Sequence, residues 1–289
     1  MPQETRSAVT AVANYHCITG ENPLWNDVEG RLYWEDIDSG RLFRAEHATL
    51  AHECFYQGPV VGGFTFQADG TLLLFEADRI ATLNLETGAR RVIGEGFDSD
   101  MTRFNDVIAD PEGRVYAGTI GRTDQSGGLY RVDHDGSVHC LWKGTGCANG
   151  MGFTRDLGKF YWTCSTTRRI FVADYDGATG AISDRRVFYT APESEGTPDG
   201  LSLDRDDTIW TARWGGGAVL QLSANAELLG RVDLPVSRVS SVTFGGPALD
   251  TLYVTTAGGS PGSDTEDGTL YRVPAPARGR APFRSRIRL

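Results

Sequence analysis

One β-rich segment recurs six times along the chain: GRLYWED at 30–36, GTLLLFE at 70–76, GRVYAGT at 113–119, GKFYWTC at 158–164, DTIWTAR at 207–213 and DTLYVTT at 250–256. Taken at Leu32, Leu72, Val115, Phe160, Ile209 and Leu252, the steps are 40, 43, 45, 49 and 43 residues. A period in this range marks stacked supersecondary units, because one such unit cannot bury both of its faces alone. Each copy is followed by two further strand-like runs and preceded by one. The followers are RLFRAE, RIATLNL, GLYRVD, RIFVADYD, AVLQLS and TLYRVP, then HECFYQ, RRVIGE, SVHCLW, RRVFYT, LLGRVDL and FRSRIRL. Four strands in each of six copies predict an all-β fold, a six-bladed β-propeller with four-stranded blades around a central channel, occupying residues 1–289 as a single domain. The turns agree: NDVEGR, QADGT, DPEGR, DHDGS and DYDGATG set Gly after Asp or Glu, where positive φ is easiest to reach.

Composition narrows the partners. A formal charge of −10 opposes nucleic acid and anionic membrane, since both would meet a surface of their own sign. Arg278, Arg280, Arg284, Arg286 and Arg288 form the one basic cluster. The last three alternate with Phe283, Ser285, Ile287 and Leu289, the period of a half-buried strand with a solvated basic face. The five cysteines, Cys17, Cys54, Cys140, Cys147 and Cys164, show no CxxC spacing and fit reduced thiols in a cytoplasmic protein. The opening MPQETRSAVTAVANY has no basic region followed by an apolar one, and no apolar run approaches the roughly 18 residues of a bilayer span. A soluble, unexported monomer or small homo-oligomer is expected.

The first strand of a propeller blade lies innermost. Aligned on their apolar residues, the six first strands place Glu21, Gly63, Asn105, Asn149, Asp199 and Ser241 at corresponding positions. Four carry a strong oxygen donor; Gly63 and Ser241 leave room. Two carboxylates and two carboxamides converging in a narrow channel need matching. Two readings are open: a divalent cation held by oxygen ligands, or side chains that bond backbone and bridging waters. All-oxygen ligation favours Ca²⁺, Mg²⁺ or Mn²⁺, with Zn²⁺ and Fe²⁺ as weaker fits.

GENPLW at Glu21, RFNDVIADPEGRVYAGT at Arg103 and Asn105, ANGMGFT at Asn149 and TPDGLSLD at Asp199 together resemble signature segments of the SMP-30/gluconolactonase/regucalcin-like family. The resemblance extends to TARWGGG and FGGPALDTLYVTTA, and so to nearly the whole chain. It implies a six-bladed propeller that hydrolyses a sugar (aldono) lactone with one divalent metal ion, Ca²⁺ first among Ca²⁺, Mn²⁺, Mg²⁺, Zn²⁺ and Fe²⁺. Glu21, Asn149 and Asp199 are then the metal ligands, Asp199 also the proposed base, and Arg103 and Asn105 the substrate contacts. Where some members carry a substrate-contacting Glu, this chain has Arg122 and Thr123, a change of sign that bears on which substrate is taken. A metal-bound carboxylate is a weak base, so a hydroxide held by the cation is the alternative nucleophile.

Other classes fit less well. The histidines, His16, His47, His52, His134 and His139, avoid the inner-strand starts and read as surface or turn residues, against a His-assisted arylesterase or phosphotriesterase. GGSPG at 258–262 matches GxSxG but falls in the Gly/Ser/Asp-rich stretch 258–268 with no helix candidate after it, so it lacks the strand-to-helix turn of a serine nucleophile elbow. The alternatives that remain are a calcium- or ligand-binding propeller without turnover and a hydrolase of another cyclic ester or of an organophosphate. A WD-type interaction platform lacks its Gly-His and Trp-Asp signatures. Phe64 and Gln67 are expected in core or turn roles.

Overall fold

The computed structural model describes residues 9–260 and 262–288. The expectation of no export leader falls largely on the first eight residues, which with Leu289 lie outside the described ones. Six four-stranded antiparallel sheets make the blades of a six-bladed β-propeller, and among the described residues the only helix is the single 3₁₀ turn Glu193–Glu195. The inner strands are Gly20–Asn26, Val61–Phe66, Met101–Ala109, Ala148–Phe153, Thr197–Leu203 and Val239–Gly245.

The chain divides into two compact units. One comprises the segments up to Gly58 and Phe188–Ala281; within it the inner strands Gly20–Asn26 and Thr197–Leu203 both neighbour Val239–Gly245. The other comprises Pro59–Val187 and Pro282–Leu289, and there Met101–Ala109 is flanked by Val61–Phe66 and Ala148–Phe153. The core of each unit forms where neighbouring blades face each other. Trp210, Val219, Phe244, Leu252 and Tyr271 pack together in the first, and Leu73, Phe75, Phe104, Val115 and Ile287 in the second. Burial falls outward along a blade. All six residues of Val61–Phe66 are buried, whereas His52–Gln57, an outermost strand, is mostly exposed. An inner strand covered on both faces must be apolar or small throughout, which VGGFTF is.

The turn glycines behave as the sequence implies. Gly30, Gly70, Gly113 and Gly136 all have φ between 68° and 89°. In DYDGATG the positive φ belongs to Gly180, whereas Gly177 has none.

Two expectations about the chain ends are corrected. The fourth strand of the sixth blade is Thr10–Asn14, paired antiparallel with Thr269–Pro274; FRSRIRL does not supply it. That C-terminal run instead lies along the end of the Val61–Phe66 strand, with a single parallel bridge between Ser285 and Gln67. Ser285 N donates to Phe66 O at 2.8 Å, and the Gln67 carboxamide both donates to Ile287 O (3.1 Å) and accepts from Ile287 N (3.0 Å). The alternation it is read from holds over residues 285–288, where Ser285 and Ile287 are buried and Arg286 and Arg288 exposed, but not before them: Phe283 is exposed and Arg284 half-buried, and Leu289 lies outside the described residues. Alternation reports only that a segment lies on an apolar surface, and one bridge suffices for that. Gln67 and the fully buried Phe64 hold the structural roles expected of them.

Candidate functional site

Each of the six inner strands breaks register with its neighbour at the aligned position. In four pairings one extra residue enters the inner strand beside Glu21, Gly63, Asn149 or Ser241. In the other two the candidate lies inside the break: Asn105 and Asp106 together oppose Gly118, and Asp199 and Gly200 together oppose Ala212. A β-bulge of this kind bends the strand and re-aims a side chain. The side chains at these points are buried, with exposures of 7% for Glu21, 5% for Asn105, 4% for Asn149 and 5% for Asp199.

In the unit containing Asn105 and Asn149, hydrogen bonds determine the amide orientation. Arg103 Nη1, which can only donate, reaches Asn105 Oδ1 at 2.6 Å and Phe104 O at 2.9 Å. Ala148 O, which can only accept, takes Asn105 Nδ2 at 2.9 Å. Asn105 therefore cannot flip. Asn149 Nδ2 donates to Ser165 Oγ at 3.3 Å, and Gly150 N reaches Asn149 Oδ1 at the same distance. The Cys147 sulfur receives both amides, at 3.8 Å from Asn105 Nδ2 and 3.9 Å from Asn149 Nδ2.

Gly62 and Gly63 explain why this unit can bring its strands so close. A Cβ on Gly62 would lie 1.9 Å from Phe104 O, and one on Gly63 2.6 Å from Asn105 O. The expected room at Gly63 is thus taken by the neighbouring backbone. Arg122 and Thr123 are exposed in the turn after the strand Val115–Gly121, where Arg122 Nε donates to Ser99 O at 2.9 Å.

Asp106, which the sequence reading passed over, is half-buried inside the bulge, and burial pushes its carboxyl up to about 7. Strict alternation would have set it opposite Asn105; the bulge cancels that rule. Cys147 was noted only as a scattered thiol. The signal that could have found both is adjacency to an aligned position, Asp106 directly after Asn105 and Cys147 two before Asn149.

In the unit containing Glu21 and Asp199, the carboxylates have acidic and basic company. Glu21 is in register with Glu35, which is fully buried. Glu21 Oε2 accepts from Asn22 N at 3.2 Å, and Asn22 has φ 47°. Like charges directly opposite across a sheet destabilise it unless they are compensated. Beside Asp199, Pro198 pairs with Arg213, a fully buried arginine that lies 3.6 Å from Glu195 and 5.3 Å over the Tyr189 ring. Gly200 is a close-approach position too: a Cβ there would lie 2.1 Å from Ser241 Oγ.

Buried carboxylate and carboxamide oxygens fit a hard divalent cation. Among the described residues no three His, Cys, Asp or Glu side chains cluster as a metal site. A cation's remaining donors would therefore be amide, carbonyl or water oxygens.

A family model described as the SMP-30/gluconolactonase/LRE-like region matches residues 19–258. A pentonolactonase, XacC of Haloferax volcanii, is 47% identical over 290 residues, covering 97% of this chain and 99% of that protein. Regucalcin of Danio rerio is 30% identical over 243 residues, 82% of each chain. Among solved structures, a luciferin-regenerating enzyme superposes with a TM-score of 0.88 at 27% identity, covering 97% of this chain and all of that one.

Proposed function

Because the chain belongs to the SMP-30/gluconolactonase/LRE-like family, we propose that it hydrolyses a sugar lactone, a pentonolactone first, to the aldonic acid with one divalent metal ion held by Glu21, Asn149 and Asp199. The observation that carries this reading is the 47% identity, over nearly the full length of both chains, to a pentonolactonase. The buried oxygen donors at three inner-strand bulges support the ligand set. Ca²⁺ is the first choice by donor type, and Mn²⁺, Mg²⁺, Zn²⁺ and Fe²⁺ are the ions to test beside it. The bound cation would supply Lewis acidity at the lactone carbonyl.

The chain's own residues divide the rest of the work. Asp199 accepts the proton of the attacking water as its oxygen bonds to the carbonyl carbon. The ring C–O bond breaks, the ring oxygen leaves as a hydroxyl by taking back the proton held by Asp199, and the carboxylic acid loses its proton to solvent. Among the described residues Arg103 engages the protein through Nη1 alone, which leaves its Nε/Nη2 edge for a sugar hydroxyl or the product carboxylate. With Oδ1 and Nδ2 both engaged, Asn105 serves to aim Arg103 and offers the substrate the remaining lone pair of Oδ1. Arg122 and Thr123, exposed in their turn, are assigned to the rim and to substrate choice.

The test is acid release from pentono- and hexonolactones, corrected for spontaneous hydrolysis, with chelated protein and after adding back single metals. Turnover restored by one ion supports the proposal. Folded protein that turns over no lactone with any of the five ions refutes it, and the same preparation is then assayed on other cyclic esters and organophosphates.

A further inference from the structure

Asp199 is the third residue of the inner strand Thr197–Leu203, and toward the start of that strand the surroundings change. Asp199 and Pro198 are buried, whereas Gly215, Ser237 and Arg238, around the strand's first residue, are exposed. Trp214 is in register with Thr197, and Arg238 directly precedes Val239, where the neighbouring inner strand Val239–Gly245 begins. A bridge joins Trp214 to Arg238, and Arg238 O accepts from Ala257 N at 2.9 Å. The side chains meet as well: the Arg238 guanidinium lies 5.8 Å over the half-buried Trp214 ring. Gly258 lies beside it, where a Cβ would come within 2.8 Å of Arg238 Nη1 and 3.1 Å of its Cδ. Indole and glycine thus seat a guanidinium that faces solvent. The nearby Arg213 and Arg231 have Glu195 and Asp233 as acidic neighbours; among the described residues Arg238 has no carboxylate at ion-pair distance.

We propose that Arg238, seated on Trp214, is a specificity-determining residue that binds a hydroxyl at the end of the lactone remote from its carbonyl. The inference rests on the lactonase reading, in which Asp199 acts at the carbonyl. Beyond Asp199 the strand runs through Gly200, packed against Ser241, and the buried Leu201, so the hydroxylated part of the substrate lies toward the exposed end. Two strand residues span ~7 Å in that direction, which sets the Trp214–Arg238 pair about one sugar ring away from the reacting carbon. Stacking occupies the face of the guanidinium and leaves its edge, where all five N–H groups lie, for the ligand. An arginine already held by an aromatic ring and a close backbone also loses less freedom on binding than a free one. The lactone is neutral, so its hydroxyls are what this edge meets before ring opening. Pentono- and hexonolactones differ by one CHOH unit at that end, and Arg238 accordingly bears on the choice between them.

The experiment compares wild type with Arg238→Ala and Trp214→Leu. KM and kcat are measured on pentono- and hexonolactones, the inhibition constant is measured for γ-butyrolactone, which has the ring and carbonyl without hydroxyls, and the Ca²⁺ dissociation constant is read by competition with a chromophoric chelator. Arg238→Ala should raise KM for the hydroxylated lactones about 10-fold or more, the effect of losing a hydrogen bond from a charged donor, and should shift the preference between pentono- and hexonolactone. The γ-butyrolactone constant and the Ca²⁺ affinity should stay at their wild-type values. Trp214→Leu, which frees the guanidinium without removing it, should raise the same KM by a smaller factor. KM unchanged in Arg238→Ala would overturn the inference, as would KM and the γ-butyrolactone constant rising together, since a merely structural role moves both; either result leaves the lactonase reading intact. Folded wild-type protein that turns over no lactone with any of the five ions refutes the lactonase reading, and this inference with it.

Discussion

Replacing Asp106 with Asn should stabilise the metal-free protein at alkaline pH. The carboxyl stands at about 7 in the folded chain against an ordinary 3.8, and burial is the main cause. A folded-state pKa above the unfolded one means that the folded protein holds this proton more tightly, so the contribution is present below pH 3.8 and lost as pH rises through 7. Converted in full, the change is on the order of 4 kcal/mol. Asp106 keeps some contact with solvent, which screens the charge, and we expect ~1–2 kcal/mol. The asparagine keeps the shape and cannot ionise. The difference between Asp106→Asn and wild type should therefore grow in favour of the variant between about pH 5 and 7 and level off above. Urea unfolding with chelator present, from pH 5 to 8.5, measures it. A stability difference independent of pH would show that the bulge does not disfavour the charge.

Three further outcomes follow from the same geometry. Asp110, fully buried, accepts from Arg114 Nε (2.6 Å), Arg114 N (2.9 Å) and Tyr175 OH (3.0 Å), so Asp110→Ala leaves a buried guanidinium uncompensated and should cost ~3–5 kcal/mol in urea unfolding. Gly62→Ala sets a methyl 1.9 Å from a main-chain oxygen and should lose ~3 kcal/mol or fail to fold, as thermal unfolding and expression would report. Asp199→Ala and Asn105→Ala should both lower turnover, but only the first should also weaken metal binding in a chelator competition; full activity and full metal content in Asp199→Ala would defeat the proposed ligand set.

The blade count, the strand boundaries and the aligned inner positions were legible because each follows from a repeat that the folding chain cannot ignore. Every copy must fill its buried second strand with mostly apolar or small residues, as LLLFE at Leu72–Glu76 and TLYVTT at Thr251–Thr256 do, and several copies turn at a Gly such as Gly30, Gly70 or Gly113. The sixth blade was misread for a reason of the same kind. FRSRIRL alternates because Ser285 and Ile287 are buried against the Val61–Phe66 blade, and the Gln67 carboxamide holds Ile287 there. The strand that completes the sixth blade, Thr10–Asn14, comes from the far end of the chain, and TAVAN bears no mark of its partner. Pairing between chain ends is set by tertiary contacts, which local periodicity does not encode.

The candidate site was harder to read than the fold because its geometry depends on where alternation fails. Asn105 and Asp106 oppose the single residue Gly118, and Asp199 and Gly200 the single residue Ala212, so no period-two rule carried along either strand predicts which side chain is aimed where. What the sequence does show is the small residue beside the candidate one: Gly200 after Asp199, and Gly62 and Gly63 opposite Asn105. The close approaches of the strands explain it. A side chain at Gly200 would strike Ser241, and one at Gly62 or Gly63 would strike the Phe104–Asn105 backbone. Close approach of inner strands and a bulge in each are two parts of one device, since a strand that presses against its neighbour can re-aim a carboxylate or an amide only by departing from regular pairing. It follows that bulk added at Gly62 should perturb Asn105 through the main chain, even though Gly62 has no side chain to offer a ligand. Where the effect is small enough for the protein to fold, it should appear in KM before it appears in metal affinity.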